Sequence, residues 1–478
     1  MFKRFFLFVA GLFFLLSVIG FGQGKQTEII ILHTNDMHSK IDNMAKLAWL
    51  ADSLRNLHPF VFLVSAGDNF TGNPVVDMIP DKGYPMIDLM NRCGFDVTAM
   101  GNHEFDMGQA LLKKRILQAK FPFICGNMDG SESQVGQLRP YTILHAGSDI
   151  SIAMFGLIQL DDNGLPSSHP TNMKDVKFVN GLTKAREFAP LKKEYGILIA
   201  LSHLGIDDDI RLADSMPQID VIIGGHSHTV LNQPRYANNV MIVQTGANLK
   251  YAGKITLLVE NGKVVSRNDE LILLSSLKNE NRGITALLDL YNNNQEFNRV
   301  VGTCEKPVEG EDELGSLMAD ALTNQLKVDF AFQNRGGIRV QSISAGAITL
   351  KDIYKLDPFN NQLVIFTMKT DEIKSLICYG YQHEKGIDFQ VSGMTYTITG
   401  DGKGQCSKVD MLDMAGKPLD PSKEYSVALS NYVAVTYKFN HKDPGTLSTL
   451  TTAQALIWYL GVAGKINYSG IKRAKVIQ

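Results

Sequence analysis

The chain has 478 residues, 44% of them hydrophobic, with 47 basic against 49 acidic side chains and a formal net charge of −2. That length exceeds one hydrophobic core and predicts two or three domains, and the ordinary apolar content argues against disorder. A near-neutral balance without any basic run argues against a polyanion groove as the basis of function.

The chain opens with Met-Phe-Lys-Arg, continues with an almost wholly apolar run over residues 5–21, and turns polar at Gly22. This is the pattern of a secretory signal peptide over residues 1–22, with Gly20 and Gly22 as small residues at the −3 and −1 positions. An uncleaved anchor is the alternative, since the run is slightly long for a signal core. No cysteine lies near the boundary, so a lipid-modified N-terminus is not expected. No later run is long and apolar enough to span a bilayer. The protein is therefore expected to be exported, to the periplasm or the extracellular space. Five scattered cysteines (Cys93, Cys125, Cys304, Cys378, Cys406) contain no CxxC pair, which excludes zinc-finger and thioredoxin-like readings. One or two disulfides and buried thiols both stay open.

Residues 28–32 form a short apolar run of the buried-strand kind, followed by Asn35, Asp36 and His38. A helix expected near residues 43–57 leads to a second run at 60–64, which ends in Gly67, Asp68 and Asn69. The run at 97–100 ends in Gly101-Asn102-His103-Glu104-Phe105-Asp106, which reads as opening a helix near 107–119. The run at 196–201 ends in His203, and that at 221–223 in Gly224-Gly225-His226-Ser227-His228. Buried α/β sheets gather the carboxyl ends of their strands at one edge, where ligands bind. One cluster of Asp36, His38, Asp68, Asn102, His103, His203, His226 and His228 follows. A single histidine is more often structural than a ligand, but five at strand ends out of 11 in the chain reverse that expectation. Mixed Asp, Asn and His donors suit zinc, manganese or iron rather than an all-oxygen calcium cage. Seven ligand candidates are too many for one tetrahedral ion and suit two ions sharing a carboxylate. Two ions roughly 3.5–4 Å apart clamp the attacking and leaving oxygens of a displacement at phosphorus and supply hydroxide near neutral pH. Asn127 follows another apolar run and is read as a rim residue.

Residues 251–274 alternate as closing strands do, 275–282 are polar, and 284–299 read as a helix. A second domain begins near Val300, with a helix over 314–327 and a strand over 328–332. The turn Asn334-Arg335-Gly336-Gly337-Ile338-Arg339 follows. Its glycines let backbone amides approach a ligand, and Arg339 offers a fork suited to phosphate or carboxylate. A tight turn with a solvated arginine is the plainer reading. Phe359 and Tyr432 lie in loops, where two rings sandwich a nucleobase or pack locally. No internal repeat is evident.

Taken together, Asp36-x-His38, Gly67-Asp68-Asn69, Gly101-Asn102-His103-Glu104, the lone His203 and Gly225-His226-Ser227-His228 resemble the calcineurin-like metallophosphoesterases. Leu32-His-Thr-Asn-Asp36, Asn102-His-Glu-Phe-Asp106 and Gln244-Thr-Gly246 narrow the resemblance to the secreted 5′-nucleotidase / UDP-sugar hydrolase family. The second half resembles that family's C-terminal domain, so the likeness covers nearly all of the mature chain.

The resemblance implies an α/β fold. It comprises an N-terminal four-layered α/β/β/α metallophosphoesterase sandwich over residues 27–275, a connector over 276–299, and a C-terminal α/β substrate-binding domain over 300–478. The connector, near residues 275–300, is then a hinge candidate. The resemblance also implies two divalent metal ions, zinc, manganese or similar. Asp36, His38, Asp68 and His228 would hold one, with Asp68 bridging; Asn102, His203 and His226 would complete the second. Some relatives carry Gln at the position of His228. His103 would face the phosphate, paired with Asp106, as the catalytic pair. A His–Asp pair favours the imidazolium, which stabilises charge on phosphoryl oxygens and assists the leaving oxygen. Asp106 alone also reads as a helix cap.

Asn334, Gly336, Gly337 and Arg339 would contact the nucleotide, with Phe359 and Tyr432 stacking on its base. Relatives often have an arginine shortly before Leu314-Gly315, where this chain has Gly310-Glu-Asp-Glu313. They often have a Gly-Gly-Asp-Gly turn soon after Tyr432, where this chain has Val433-Ala-Val-Thr-Tyr-Lys438. Arg335 stands where a small residue is usual and is expected to replace the missing arginine in part.

The expected function is that of an exported dinuclear-metal phosphohydrolase. It would remove the 5′-phosphate of nucleotides by attack of a metal-bound water or hydroxide. Activity on 2′,3′-cyclic nucleotides or nucleotide sugars at the same site stays open. So does a non-enzymatic nucleotide-binding protein, against which the complete ligand set and His103 argue. The partner is a nucleotide or related phosphoester, not a nucleic-acid polymer.

Overall fold

The computed structural model describes residues 26–359, 361–402 and 404–477, so the expected signal peptide at residues 1–22 lies outside the described residues. Two six-stranded sheets form the middle of the first domain. One runs in the order Lys263–Leu273, Tyr251–Glu260, Thr27–Thr34, Val61–Ser65, Val97–Ala99, Phe123–Ile124. The other runs Arg235–Ala237, Val240–Val243, Val221–Gly224, Gly196–His203, Ile150–Ile158, Tyr141–Ala146. Thr27–Thr34, Val61–Ser65 and Val97–Ala99 are parallel neighbours, as are Gly196–His203 and Val221–Gly224. Their carboxyl ends therefore open on common edges.

The layering follows from the two-residue period of a strand. Ile29, Ile31, Val64, Ile197, Ile199 and Val221 point between the sheets into a shared core. Leu32 and Leu63 point outward, against helices Met44–Leu57 and Tyr84–Cys93. Leu198, Ala200 and Ile222 point outward on the other side, against Leu212 and Ala213 of helix Ile206–Ser215. Each fully buried aliphatic side chain of this kind is worth about 1.5–3 kcal/mol. The result is helix, sheet, sheet, helix. Met44–Leu57 is helical because Met44, Leu47, Ala48 and Ala51 recur on one face, and that is the face it buries.

Two local expectations shift. The stretch after Gly101 does not open a long helix. It forms one short turn, His103–Phe105, and the helix Gln109–Gln118 starts only after Gly108 breaks the run with a φ of 80°. The helix expected over 284–299 ends earlier, as Arg282–Asn292, and a short turn Gln295–Asn298 follows.

That connector helix docks on the first domain. Ile284 and Leu288 join the core under Met44–Leu57, the Asn281 amide donates to the Ala45 carbonyl at 2.8 Å, and the Tyr291 hydroxyl donates to Asp88 at 2.8 Å. In the second domain a five-stranded sheet runs Phe389–Ser392, Phe330–Asn334, Tyr425–Ser430, Gln362–Met368, Thr446–Thr451. The strand expected over 328–332 is thus shifted, and Asn334 ends it. Helix Thr370–Glu384 is joined by a Cys378–Cys406 disulfide to the neighbouring strand Cys406–Asp413, while Cys93, Cys125 and Cys304 are buried thiols. Among the described residues no helix is long and apolar enough to cross a membrane.

Candidate active site

The strand ends of both sheets converge. Asp36 and His38 follow Thr27–Thr34, Asp68 follows Val61–Ser65, Asn102 follows Val97–Ala99, His203 ends its strand, and His226 and His228 follow Val221–Gly224. Five of these seven adopt left-handed backbone, with φ of 47° at Asp36, 48° at His38, 53° at Asp68, 72° at His226 and 52° at His228. Such residues each cost about 1–3 kcal/mol, and they persist where the surroundings over-determine them. The turns are shaped to aim side chains. Gly101 belongs to the same device, since a Cβ there would collide with the Asp68 carboxylate.

Donor atoms of Asp36, His38 and His228 lie within 4.8 Å of one another, and so do those of Asp36, Asp68 and His203. His203 Nδ1 donates to the Ala66 carbonyl at 2.7 Å, and its buried Nε2 faces Asp68 Oδ2 at 3.0 Å. His38 Nδ1 lies 3.2 Å from the Thr71 carbonyl, and its Nε2 faces His228 Nε2 at 3.0 Å. A carbonyl on Nδ1 is the arrangement that fixes a metal-ligating tautomer. Asn102 Nδ2 donates to the Ser167 carbonyl at 3.0 Å and turns Oδ1 to within 3.0 Å of His226 Nδ1.

The charge state of the cluster points the same way. Burial, with Arg339 and His103, holds His38 well below the usual histidine range, and burial with His203 pushes His226 down to about 4. Burial also opposes charge on His203, yet Asp68 and Asp36 outweigh it and push His203 up to about 10. Against burial, His203 and His103 hold the Asp68 carboxyl well below the usual carboxylate range. Mixed nitrogen and oxygen donors gathered within ligand distance of one another fit divalent transition metals.

His103 stands beside this group. Its backbone amide donates to Asp68 Oδ1 at 2.8 Å, and its ring Nδ1 lies 2.6 Å from Asp106 Oδ2. Ser168 donates to the other Asp106 oxygen at 2.8 Å. Burial opposes a charge on His103, but Asp106 and Asp68 raise its proton affinity above the ordinary histidine value. The second domain reaches the same place. Arg339 Nη2 lies 3.3 Å from the His38 ring nitrogens, Phe359 stacks on His103 at 5.8 Å between centroids, and the Tyr432 hydroxyl is 3.1 Å from Ser167 Oγ. A cleft of about 870 Å³ opens between the domains, walled by His103, Asp106, Asn334, Arg339, Phe359 and Tyr432 among others. That volume suits a small organic ligand.

Comparison with known proteins agrees with this geometry. Residues 29–230 match the calcineurin-like phosphoesterase model, and residues 293–438 match the 5′-nucleotidase C-terminal domain model. The chain belongs to the 5′-nucleotidase family of metallophosphoesterases. Its members are metal-dependent hydrolases of phosphate esters, and this chain is an enzyme of that class. Protein UshA of Yersinia enterocolitica is 27% identical over 488 residues, covering 87% of each chain. Endonuclease YhcR of Bacillus subtilis is 27% identical over 472 residues, but this chain spans only 38% of its length. The crystal structure of the 5′-nucleotidase precursor from Thermus thermophilus superposes with a TM-score of 0.83 at 24% identity, covering 94% of this chain and 99% of that one.

Within this family fold, two residues singled out from the sequence lie elsewhere. Arg335 turns its side chain to Glu311 at 2.9 Å, half exposed, and does not line the cleft. Asn127 binds the backbone of Ile158 and Val179 with its side chain and forms no part of the cleft wall. Sequence reasoning missed the residues that hold the turns. Glu104 is buried and accepts from the amides of Asp68 (3.0 Å), Asn69 (2.7 Å) and Gly101 (2.7 Å) and from Asn69 Nδ2 (3.0 Å). Burial and Asp68 push its carboxyl up to about 7, against the pull of those donors. Gln244 supports the opposite turn, donating to the Gly225 carbonyl at 2.9 Å and accepting from Thr229 N at 2.5 Å and Ser227 Oγ at 3.0 Å. Both residues lie inside motifs read from the sequence, Gly101-Asn102-His103-Glu104 and Gln244-Thr-Gly246, which was the available signal.

Proposed function

We propose that this protein is an exported phosphohydrolase that removes the 5′-phosphate of nucleotides at a dinuclear metal centre. One observation carries the reading. A cationic arginine and an aromatic ring of the second domain meet the Asp/His cluster of the first beside His103. Phosphate and base recognition are thereby joined to a metal-ligating group.

Asp36, His38, Asp68 and His228 would hold one ion, and Asn102, His203 and His226 the second, with Asp68 shared. When bound, two such ions lower the proton affinity of water and neutralise charge on phosphoryl oxygens. The protein's own groups supply the rest. Asp106, fixed by Ser168, holds the His103 imidazolium toward the cleft, where it stabilises phosphoryl oxygens and donates its Nε2 proton to the leaving oxygen. Arg339 orients the phosphate through its planar fork. Phe359 and Tyr432 flank the base, and Asn334, Gly336 and Gly337 form the cleft wall between them. The signal-like residues 1–22 and the Cys378–Cys406 disulfide support an oxidising compartment outside the cytoplasm.

The test is phosphate release from a substrate panel by protein loaded with manganese or zinc, with metal content measured on the same sample. The reading expects two ions per chain and a higher kcat/KM for 5′-nucleotides than for 2′,3′-cyclic nucleotides or nucleotide sugars. A preference for either of those classes would replace it, and nucleotide binding without turnover in a fully metallated sample would remove it.

A further inference from the structure

The cleft wall carries a carboxylate that the reaction does not use. Glu384 lines the cleft with His383 and Tyr437, and Asp106, already paired to His103, is the other carboxylate among the described lining residues. A line of ring contacts leads away from the phosphate end. Tyr432 lies 6.4 Å from Tyr437 between centroids, and Tyr437 lies 5.8 Å from His383. A base resting on Tyr432 therefore turns its outer edge toward Tyr437, His383 and Glu384.

The Glu384 carboxylate is held ready. His383 Nδ1 lies 3.0 Å from Oε1, and no hydrogen bond to Oε2 occurs among the described residues. The side chain is 34% exposed and lines the cleft. The helix that carries it, Thr370–Glu384, is fastened by the Cys378–Cys406 disulfide to the adjoining strand. Within the fold the His383 hydrogen bond, with the charges of His383 and Arg335, outweighs burial and favours the ionised carboxylate. Glu384 ends the helix, where the last carbonyls already carry partial negative charge and a carboxylate is destabilising. The cleft is thus polar along its length, with Arg339 and His103 at one end and an acceptor-only carboxylate at the other.

We propose that Glu384 is a specificity-determining residue that accepts N–H donors from the outer edge of the base and so favours guanine over adenine. The inference rests on the nucleotide reading above. Guanine presents N1–H and the 2-amino group side by side, and an ionised carboxylate accepts from both. Adenine presents an amino group next to the N1 lone pair, which a carboxylate oxygen repels. Attraction for one base and repulsion of the other act together. His383 is a positioning residue that fixes the carboxylate.

The experiment compares kcat/KM for GMP, AMP and the baseless ester p-nitrophenyl phosphate in the metal-loaded full chain and its Glu384→Gln variant. Glutamine keeps the shape but brings an N–H that adenine N1 accepts. The wild type is expected to favour GMP over AMP by about tenfold, and the variant to lose or invert that ratio, as one charge-assisted hydrogen bond would require. Inhibition of p-nitrophenyl phosphate hydrolysis by free guanosine and adenosine gives a second readout that needs no nucleotide turnover. It should follow the same order and the same reversal. Efficient nucleotide hydrolysis with a GMP/AMP ratio unchanged by the substitution would overturn the role of Glu384 alone. If neither nucleotide is cleaved better than p-nitrophenyl phosphate, the nucleotide reading itself falls, and this inference with it.

Discussion

Glu104→Gln tests whether one buried carboxylate ties the metal-bearing turns together. Both oxygens of Glu104 are in use: Oε1 accepts from the Asn69 amide and side chain, and Oε2 from the amides of Asp68 and Gly101. Glutamine keeps one oxygen, so two of the four hydrogen bonds are lost and two buried amides face an NH2 group. An unmet buried amide costs about 1–3 kcal/mol, which puts roughly 2–6 kcal/mol at stake. Each kcal/mol lowers the melting temperature of a domain of this size by about 2–4 °C, so a fall of about 4 °C or more is expected. Part of the loss should appear as geometry, because the tied residues adjoin Asp68 and Asn102. Removing a support of a ligand typically weakens metal binding by about 10–100-fold. Thermal melting with and without chelator, together with a zinc or manganese titration, separates the two effects. A variant that melts within about 1 °C of the wild type and binds metal as tightly would refute the reasoning.

Asp68→Ala should abolish metal loading. His103→Ala should keep the metals and lower kcat by about 10²–10⁴-fold, the usual worth of a general acid; equal metal loss in both variants, seen by elemental analysis, would sink the assignment. Arg335→Ala should leave KM for nucleotides unchanged and alter stability by no more than about 1 kcal/mol, since its exposed pair with Glu311 is of the weak surface kind. A raised KM would restore the substitute-arginine role expected from the sequence. Asp388 is buried, accepts from Tyr437 and the Arg335 amide, and is pushed up to about 7 by burial. Its folded value lies above its unfolded one, so its contribution is full below about pH 4 and is lost as pH rises toward 7. Asp388→Asn should therefore gain stability relative to the wild type between those limits, by up to about 4 kcal/mol at roughly 1.4 kcal/mol per pH unit; urea midpoints that track in parallel across the range would contradict it.

What the sequence could reveal was set by pattern. Runs such as residues 28–32 and 196–201 are apolar and end in ligand-type side chains, so both the strands and the convergence of Asp36, Asp68 and His203 were legible. The periodicity of Met44, Leu47, Ala48 and Ala51 identified a helix for the same reason. Three things had no local signal. Backbone angles are not written in residue type, so the left-handed turns at Asp36, His38 and His228 were invisible. Pairing across 28 residues joins Cys378 to Cys406, and connectivity cannot be read from spacing. Docking of Arg282–Asn292 on the first domain depends on a groove between Met44–Leu57 and Tyr84–Cys93 that only the folded chain possesses. The polar stretch read as a connector leads to that groove, and Phe297 beyond it also packs in the first domain's core.

The division of labour between the domains carries an electrostatic consequence. Every candidate ligand comes from the first domain, while Arg339 and Phe359 approach from the second. Arg339 is buried 3.3 Å from His38, and burial pulls its guanidinium below the ordinary arginine range, with Asp68, Asp106 and Asp36 pulling it back. Those carboxylates are the ones a metal centre would neutralise. Divalent ions held by Asp36 and Asp68, as proposed above, would use up the charge with which those carboxylates favour the Arg339 guanidinium. An anion between Arg339 and the cluster would then restore the balance of charge at this approach. The phosphoryl group of the proposed substrate would supply that anion, with Arg339 as its partner from the second domain.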